Sequence, residues 1–132
     1  ENLSVIDNLR FHYCGCMESL PPVMERFGLD KYTHYTVNKL SGGMKKRLSI
    51  ACSLAGAPSI LILDEPGAAL DLEAKEQILT YIRSYVKAGG TVLLTSHEMG
   101  EIGACTTLYV LKDGVLVPTE AGLSARELIQ RF

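Results

Sequence analysis

The segment that most constrains this chain is Ile60-Leu61-Ile62-Leu63, four apolar residues in a row between Pro58 and Asp64-Glu65-Pro66. An unbroken apolar run of that length is expected of a strand in a parallel sheet buried on both faces. A second apolar strand is expected over Thr91 to Thr95. Between the two, Leu79, Ile82 and Val86 repeat at helical spacing, with Asp71 placed to cap the helix and Gly89-Gly90 to stop it. Strand, helix and strand make a βαβ unit, whose crossover is right-handed. Farther along, Leu108 to Leu111 and Val115 to Val117 flank Asp113-Gly114, a strong hairpin signal, and Pro118 is expected to end it. Ser124 and Glu127 stand at capping-box spacing, which predicts a short closing helix over Ala125 to Phe132.

The first third reads differently. Ser4 is placed to cap a helix with Asp7 at its third position, and Leu9, Phe11 and Tyr13 offer apolar surface. Pro21-Pro22 opens a second short helix, and Gly28 after Phe27 is a stop. Leu29 to Leu40 shows no period and reads as a loop. It leads to Ser41-Gly42-Gly43 and then to a helix over Met44 to Ala55, with Leu48, Ala51, Leu54 and Ala55 along one side and Gly56 and Pro58 beyond its end. The expected organisation is a helical region over 1–57 and an α/β region over 58–132.

A length of 132 residues with 47% hydrophobic content allows one packed domain or part of one. A net charge of -2 gives no electrostatic reason to expect a nucleic-acid surface, which needs clustered Lys and Arg. No apolar run approaches the roughly 20 residues of a membrane-spanning helix, and no leader opens the chain, so it reads as soluble. Its opening on Glu1 reads as the middle of something longer. Cys14, Cys16, Cys52 and Cys105 lack metal-site spacing and are expected to be free thiols. His12 and His34 stand away from any informative acids and are expected to be surface or packing residues.

Ligands of open parallel sheets bind outside the carboxyl ends of the strands, where Asp64 and Glu65 must emerge. A carboxylate there can hold Mg²⁺ directly or through water, and its neighbour can orient and deprotonate a water aimed at a phosphate. Taken alone, the two acids are as consistent with polar residues closing a strand. Ser41-Gly42-Gly43 precedes a helix, so backbone N-H groups and the positive end of the helix dipole face whatever lies ahead, and the Ser41 hydroxyl can donate one more bond to an anion. As an isolated word it is better read as an ordinary turn and cap, and the acids tip the balance. His97 follows the strand at Thr91 to Thr95 and so reaches the same rim as the acids, where an imidazole can contact a phosphate or an attacking water.

In order and spacing, these words resemble the ATP-binding cassette (ABC) family. Leu40 to Met44 matches the signature motif, Ile60 to Glu65 matches Walker B with the catalytic glutamate, Gly67 to Asp71 matches the D-loop, and His97 matches the switch histidine. Leu3 to Leu9 is similar to the segment after the Q-loop, and the hairpin around Asp113-Gly114 to the terminal strands. Met44 departs from the usual glutamine, and Gly67 from the usual serine or threonine. The resemblance implies an α/β fold: an incomplete P-loop NTPase-like core with a parallel sheet and a helical subdomain. It also implies two ATP molecules with Mg²⁺ sandwiched in a head-to-tail dimer of ATP-binding subunits. Glu65 would activate water, Asp64 would hold the Mg²⁺ shell, and His97 would contact the γ-phosphate. Ser41, Gly42 and Gly43 would grip the partner's nucleotide, and Asp71 would couple the two sites. A transmembrane transporter subunit or domain is the implied partner, which places the chain at the cytoplasmic face of the plasma membrane as a peripheral subunit. Likeness of Leu3 to Phe11 and of the Tyr109 to Val117 hairpin to bacterial exporter subunits points to export.

A soluble ABC ATPase acting on DNA or ribosomes is a rival reading. The sequence shows no sustained heptad, has Ala68-Ala69 where the ribosome-acting branch has asparagine and histidine, and carries no basic arm. A regulatory module that has lost catalysis is a third reading, against which Asp64, Glu65 and His97 argue together. No Gly-x-x-x-x-Gly-Lys-Ser/Thr occurs, so this chain alone is expected not to hydrolyse ATP. In the family the P-loop strand lies between the switch-histidine strand and the next one. A gap there would expose strand edges and apolar surface. The isolated chain is therefore expected to associate through those edges or to rearrange there; a well-behaved monomer in light scattering would contradict this.

Overall fold

A computed structural model of the chain describes residues 3–68, 70–120 and 127. The closing helix expected over Ala125 to Phe132 lies outside these residues, Glu127 apart. The order is α1 (Val5–His12), α2 (Leu20–Arg26), α3 (Gly42–Ser53), β1 (Ile60–Asp64), α4 (Leu72–Lys87), β2 (Thr91–Thr95), α5 (Met99–Ile102), β3 (Leu108–Lys112) and β4 (Val115–Thr119).

The caps act where the sequence places them. The Ser4 hydroxyl oxygen accepts from the Asp7 N-H at 3.2 Å, Ser41 from Met44 at 3.2 Å, and Asp71 from Ala74 at 2.8 Å, each satisfying a donor that the helix cannot pair internally. The stretch from Leu29 to Leu40 is not a featureless loop. It contains 3-10 turns at Asp30–Tyr32 and Val37–Lys39, and Thr36 bridges to Ser4.

β1 and β2 are parallel, with Ile60 opposite Thr91, Leu61 opposite Val92, and so on to Asp64 opposite Thr95. Side chains alternate along a strand, so Leu61 and Leu63 share one face with Val92 and Leu94. That face meets the core, where Leu61 is 2% exposed. The expectation of burial on both faces is not met, because Ile60 and Ile62 are 60% and 70% exposed on the other side, beside Leu93 at 59%. Among the described residues, nothing covers that side. Two further expectations fail in the same way. Phe11 and Val86 are exposed, since the core-facing stripe of α1 is Val5 and Leu9, followed by Tyr13, and that of α4 is Ala74, Ile78, Leu79, Tyr81 and Ile82.

A single apolar cluster joins the helical region to the strands, running from Val5, Leu9 and Tyr13 through Leu48 and Ala51 to Leu61, Ile78 and Tyr81. Ile50, which the expected stripe on α3 omitted, is also buried. Tyr13 is almost wholly buried and donates its hydroxyl to the Ala51 carbonyl at 2.9 Å, and burial pushes the phenol up to about 12, so it stays a neutral donor. On α2, Arg26 lies over the Tyr81 ring at 5.6 Å and Phe27 packs against the same ring at 5.2 Å.

β3 and β4 form a separate antiparallel pair around Asp113-Gly114, whose φ values of 49° and 79° are those of a two-residue type I′ turn. Pro118 does not end the hairpin; β4 runs through it to Thr119. Counting from the turn, the pair Tyr109 and Pro118 falls at a position that makes no ladder hydrogen bonds, so the missing N-H costs nothing. The described strands thus form two two-stranded sheets, with β2 and β3 not joined.

Replacing Leu61 with Ala should cost about 2–5 kcal/mol of stability, whereas Ile62→Ala should cost less than about 1 kcal/mol. Denaturant unfolding of the chain checks this, and equal costs would mean that the second face is covered after all.

Candidate active site

Parallel pairing in register brings the ends of β1 and β2 to one rim. Asp64 and Thr95 are directly opposite on the same face, and the Thr95 hydroxyl donates to Asp64 Oδ1. The next residue, Glu65, leaves the strand with a φ of 46°, and its N-H donates to the Thr95 carbonyl at 3.1 Å. Few side chains adopt that left-handed backbone. Pro66 and Gly67 then turn the chain, and the Ala68 N-H closes the turn on the Glu65 carbonyl at 3.2 Å. The turn aims the Glu65 carboxylate across the rim to His97, whose Nδ1 lies 2.9 Å from Glu65 Oε1.

Of the residues singled out from the sequence, Asp64, Glu65 and His97 are therefore brought to one rim. Ser41 and Gly42 lie exposed at the start of α3. Gly43 approaches the loop before α4, since a Cβ on it would stand 3.1 Å from Leu70 Cδ2. Asp71 uses its carboxylate to cap α4. His12 and His34 are exposed, and the four cysteines are free thiols. Burial pushes the Cys52 thiol up to about 11, which keeps it protonated and inert.

Sequence reasoning missed three contributors. Thr95 could have been found by pairing two five-residue strands end to end, which puts it opposite Asp64. Lys46, on α3, donates to the Asp64 carbonyl at 2.7 Å and ties the glycine-led helix to the end of β1. Together with Ser49, Ser53 and Pro66 it borders a depression of about 270 Å³ on that side of the rim. Glu98 pairs with Lys75 of α4 at 2.8 Å, which lowers the carboxyl and anchors the segment after His97. A larger depression of about 380 Å³ lies between Arg26 and α4, away from the acids.

Among the described residues no three His, Cys, Asp or Glu side chains converge as a metal cage. The Asp64 carboxylate at the rim is a donor of the type that Mg²⁺ takes, because the ion commonly uses one or two carboxylates and fills its other positions with water and phosphate oxygens. Asp64 is exposed at the rim, and among the described residues its carboxylate accepts from the Thr95 hydroxyl, which leaves lone pairs to spare.

The Glu65 carboxylate raises the pKa of His97, first by its hydrogen bond and then by its charge, with smaller contributions from Glu98 and Glu101. For a histidine raised in the folded state, the pair's contribution to stability is present in full below the ordinary histidine pKa. It is lost as pH rises through the raised value. Titration of His97 by NMR should give a pKa above that of an exposed histidine, and Glu65→Gln should bring it down toward the ordinary value; an unmoved His97 would exclude the contact.

Comparison with known proteins identifies the family. Residues 2–68 match the family model described as ABC transporter. The Nod factor export ATP-binding protein I of Sinorhizobium fredii is 41% identical over 116 residues, covering 86% of this chain. The ABC transporter G family member 20 of Dictyostelium discoideum is 34% identical over 110 residues, covering 83% of this chain and 15% of its own length. A solved structure of the ATP binding subunit of an ABC transporter superposes with a TM-score of 0.86 at 24% identity, covering 98% of this chain and 62% of that one, which shows the fold. The chain spans 34% of the length of the Sinorhizobium protein. With the family model matching half of the sequence, the chain belongs to the ABC transporter family.

Proposed function

We propose that this chain supplies the Walker B, D-loop, switch-histidine and signature elements of an ATP-hydrolysing ABC transporter subunit, with Glu65 as the general base. The observation that carries this reading is the 2.9 Å contact between His97 and Glu65 at the carboxyl end of the parallel strands. Glu65 is part-exposed and close to a titratable partner, so it can accept a proton from a water while His97 holds its orientation. A raised histidine pKa keeps more positive charge at the rim, where the γ-phosphate would sit. Asp64, held by Thr95, would bind Mg²⁺, and when bound the ion would neutralise charge on the phosphate oxygens.

The signature residues fit a role toward a second subunit. Ser41 accepts from the Met44 N-H, which leaves its own hydroxyl hydrogen free to donate, and Gly42 and Gly43 present first-turn N-H groups that no helix bond consumes. These three would grip the nucleotide of the partner in a head-to-tail dimer, and Asp71 would couple the two sites through the loop it closes. We further propose the division at 57/58, a transmembrane partner at the cytoplasmic face of the plasma membrane, and export as the direction of transport. Export is supported by the resemblance to the Nod factor export proteins. With no P-loop in the sequence, the chain by itself is proposed to be inactive.

In the intact subunit, Glu65→Gln should retain ATP binding and lower steady-state hydrolysis by about 10²-fold or more, the usual worth of a positioned general base. Unchanged turnover, measured as phosphate release, would remove Glu65 from that role.

A further inference from the structure

The turn after Glu65 is gripped from a side that the proposed chemistry does not use. Glu101, on α5, is only 4% exposed, and its Oε2 is buried without a hydrogen-bond partner among the described residues. Its Oε1 lies against Gly67, well inside van der Waals contact with the place a Cβ would take, and the carboxyl carbon is 3.3 Å from that place. The carboxylate therefore fills the volume of a residue-67 side chain.

The segment carrying His97 thus touches the Glu65 turn twice, once through the His97 to Glu65 bond at 2.9 Å and once through Glu101 packed on Gly67. Glu98 to Lys75 at 2.8 Å fixes the same segment to α4. A carboxylate out of water with an unpaired oxygen is unfavourable by itself, so the surrounding packing must hold it there.

We propose that Glu101 is a positioning residue, whose buried carboxylate takes the place of a side chain at residue 67 and fixes the turn that aims Glu65. The proposal rests on the ATPase reading of Glu65. A methyl group at 67 would displace the carboxylate and offer nothing in return. A hydroxyl would displace it too, but can donate a hydrogen bond to the carboxylate it displaces. Serine at 67 is therefore tolerated where alanine is not, and the difference requires Glu101.

The test compares Gly67→Ala and Gly67→Ser in the intact subunit, each with Glu101 present and with Glu101→Ala, by steady-state ATPase kinetics and thermal unfolding. Gly67→Ala should lower kcat by about tenfold or more with KM for ATP changed less than about threefold, as expected when a reacting group is misplaced but binding persists. Gly67→Ser should stay within about threefold of the unsubstituted kcat, and with Glu101→Ala the two replacements should become equal. Glu101→Gln, which keeps the shape, should retain more kcat than Glu101→Ala. Equal activity of alanine and serine at 67, or a serine advantage that survives loss of Glu101, would overturn the proposal. If the unsubstituted subunit hydrolyses no ATP, the ATPase reading fails and the unfolding midpoints carry the same comparison. A serine advantage there that vanishes without Glu101 supports the packing, and no advantage overturns it. A shift in midpoints with unmoved kcat removes the positioning role.

Discussion

The site depends on the register of one parallel pair. Because Asp64 is opposite Thr95, the residues that follow the two strands leave at the same height, and a short turn on one side meets a short extended segment on the other. A slip of one residue would turn Asp64 toward the core face and carry Thr95 away from it. The register is held by Leu61 and Leu63 packing inward with Val92 and Leu94, so the hydrophobic core sets the geometry of the acids. Burial energy and chemical placement are linked through the alternation of side chains along β1.

The helical region is fastened to that core by more than apolar contact. The Tyr13 hydroxyl bonds to a carbonyl near the end of α3, Arg26 of α2 and Phe27 just after it cover Tyr81 of α4, and Lys46 reaches from α3 to the Asp64 carbonyl. These contacts join the glycine-led start of α3 to the strand end that bears the acids. In a head-to-tail pair of subunits, one side of this connection would face each nucleotide. A displacement of α3 would then be felt at β1 without any contact between the two ligands.

Much of this was legible from the residues. The strands at the apolar runs, the Asp113-Gly114 turn and the caps at Ser4 and Asp71 follow from local chemistry and form as expected, and Ser41 caps α3 as the plainer reading of its motif has it. What could not be read depends on distant packing. Ile60 and Ile62 look the same as Leu61 and Leu63 in sequence, and only the placement of the helices decides which pair is covered. Phe11 falls on the face of α1 opposite Leu9, and Val86 follows the last buried residue of α4. Pro118 is harmless because of its place in the ladder, which depends on counting from the turn. At the rim, Asp64, Glu65 and His97 were recognisable by type and position. Thr95, Lys46 and Glu101 were not, because a hydroxyl, an ammonium and a buried carboxylate gain their roles only from partners brought close by the fold.

Glu65 is placed where the backbone would prefer glycine, since a side chain at a φ of 46° costs roughly 1 kcal/mol or more. Comfort of the main chain and usefulness of the side chain oppose each other at that residue. A screen for thermal robustness alone would drift toward removing the acid, and a screen for turnover would keep it. The most frustrated link of the rim is thus also the one on which its chemistry is proposed to turn.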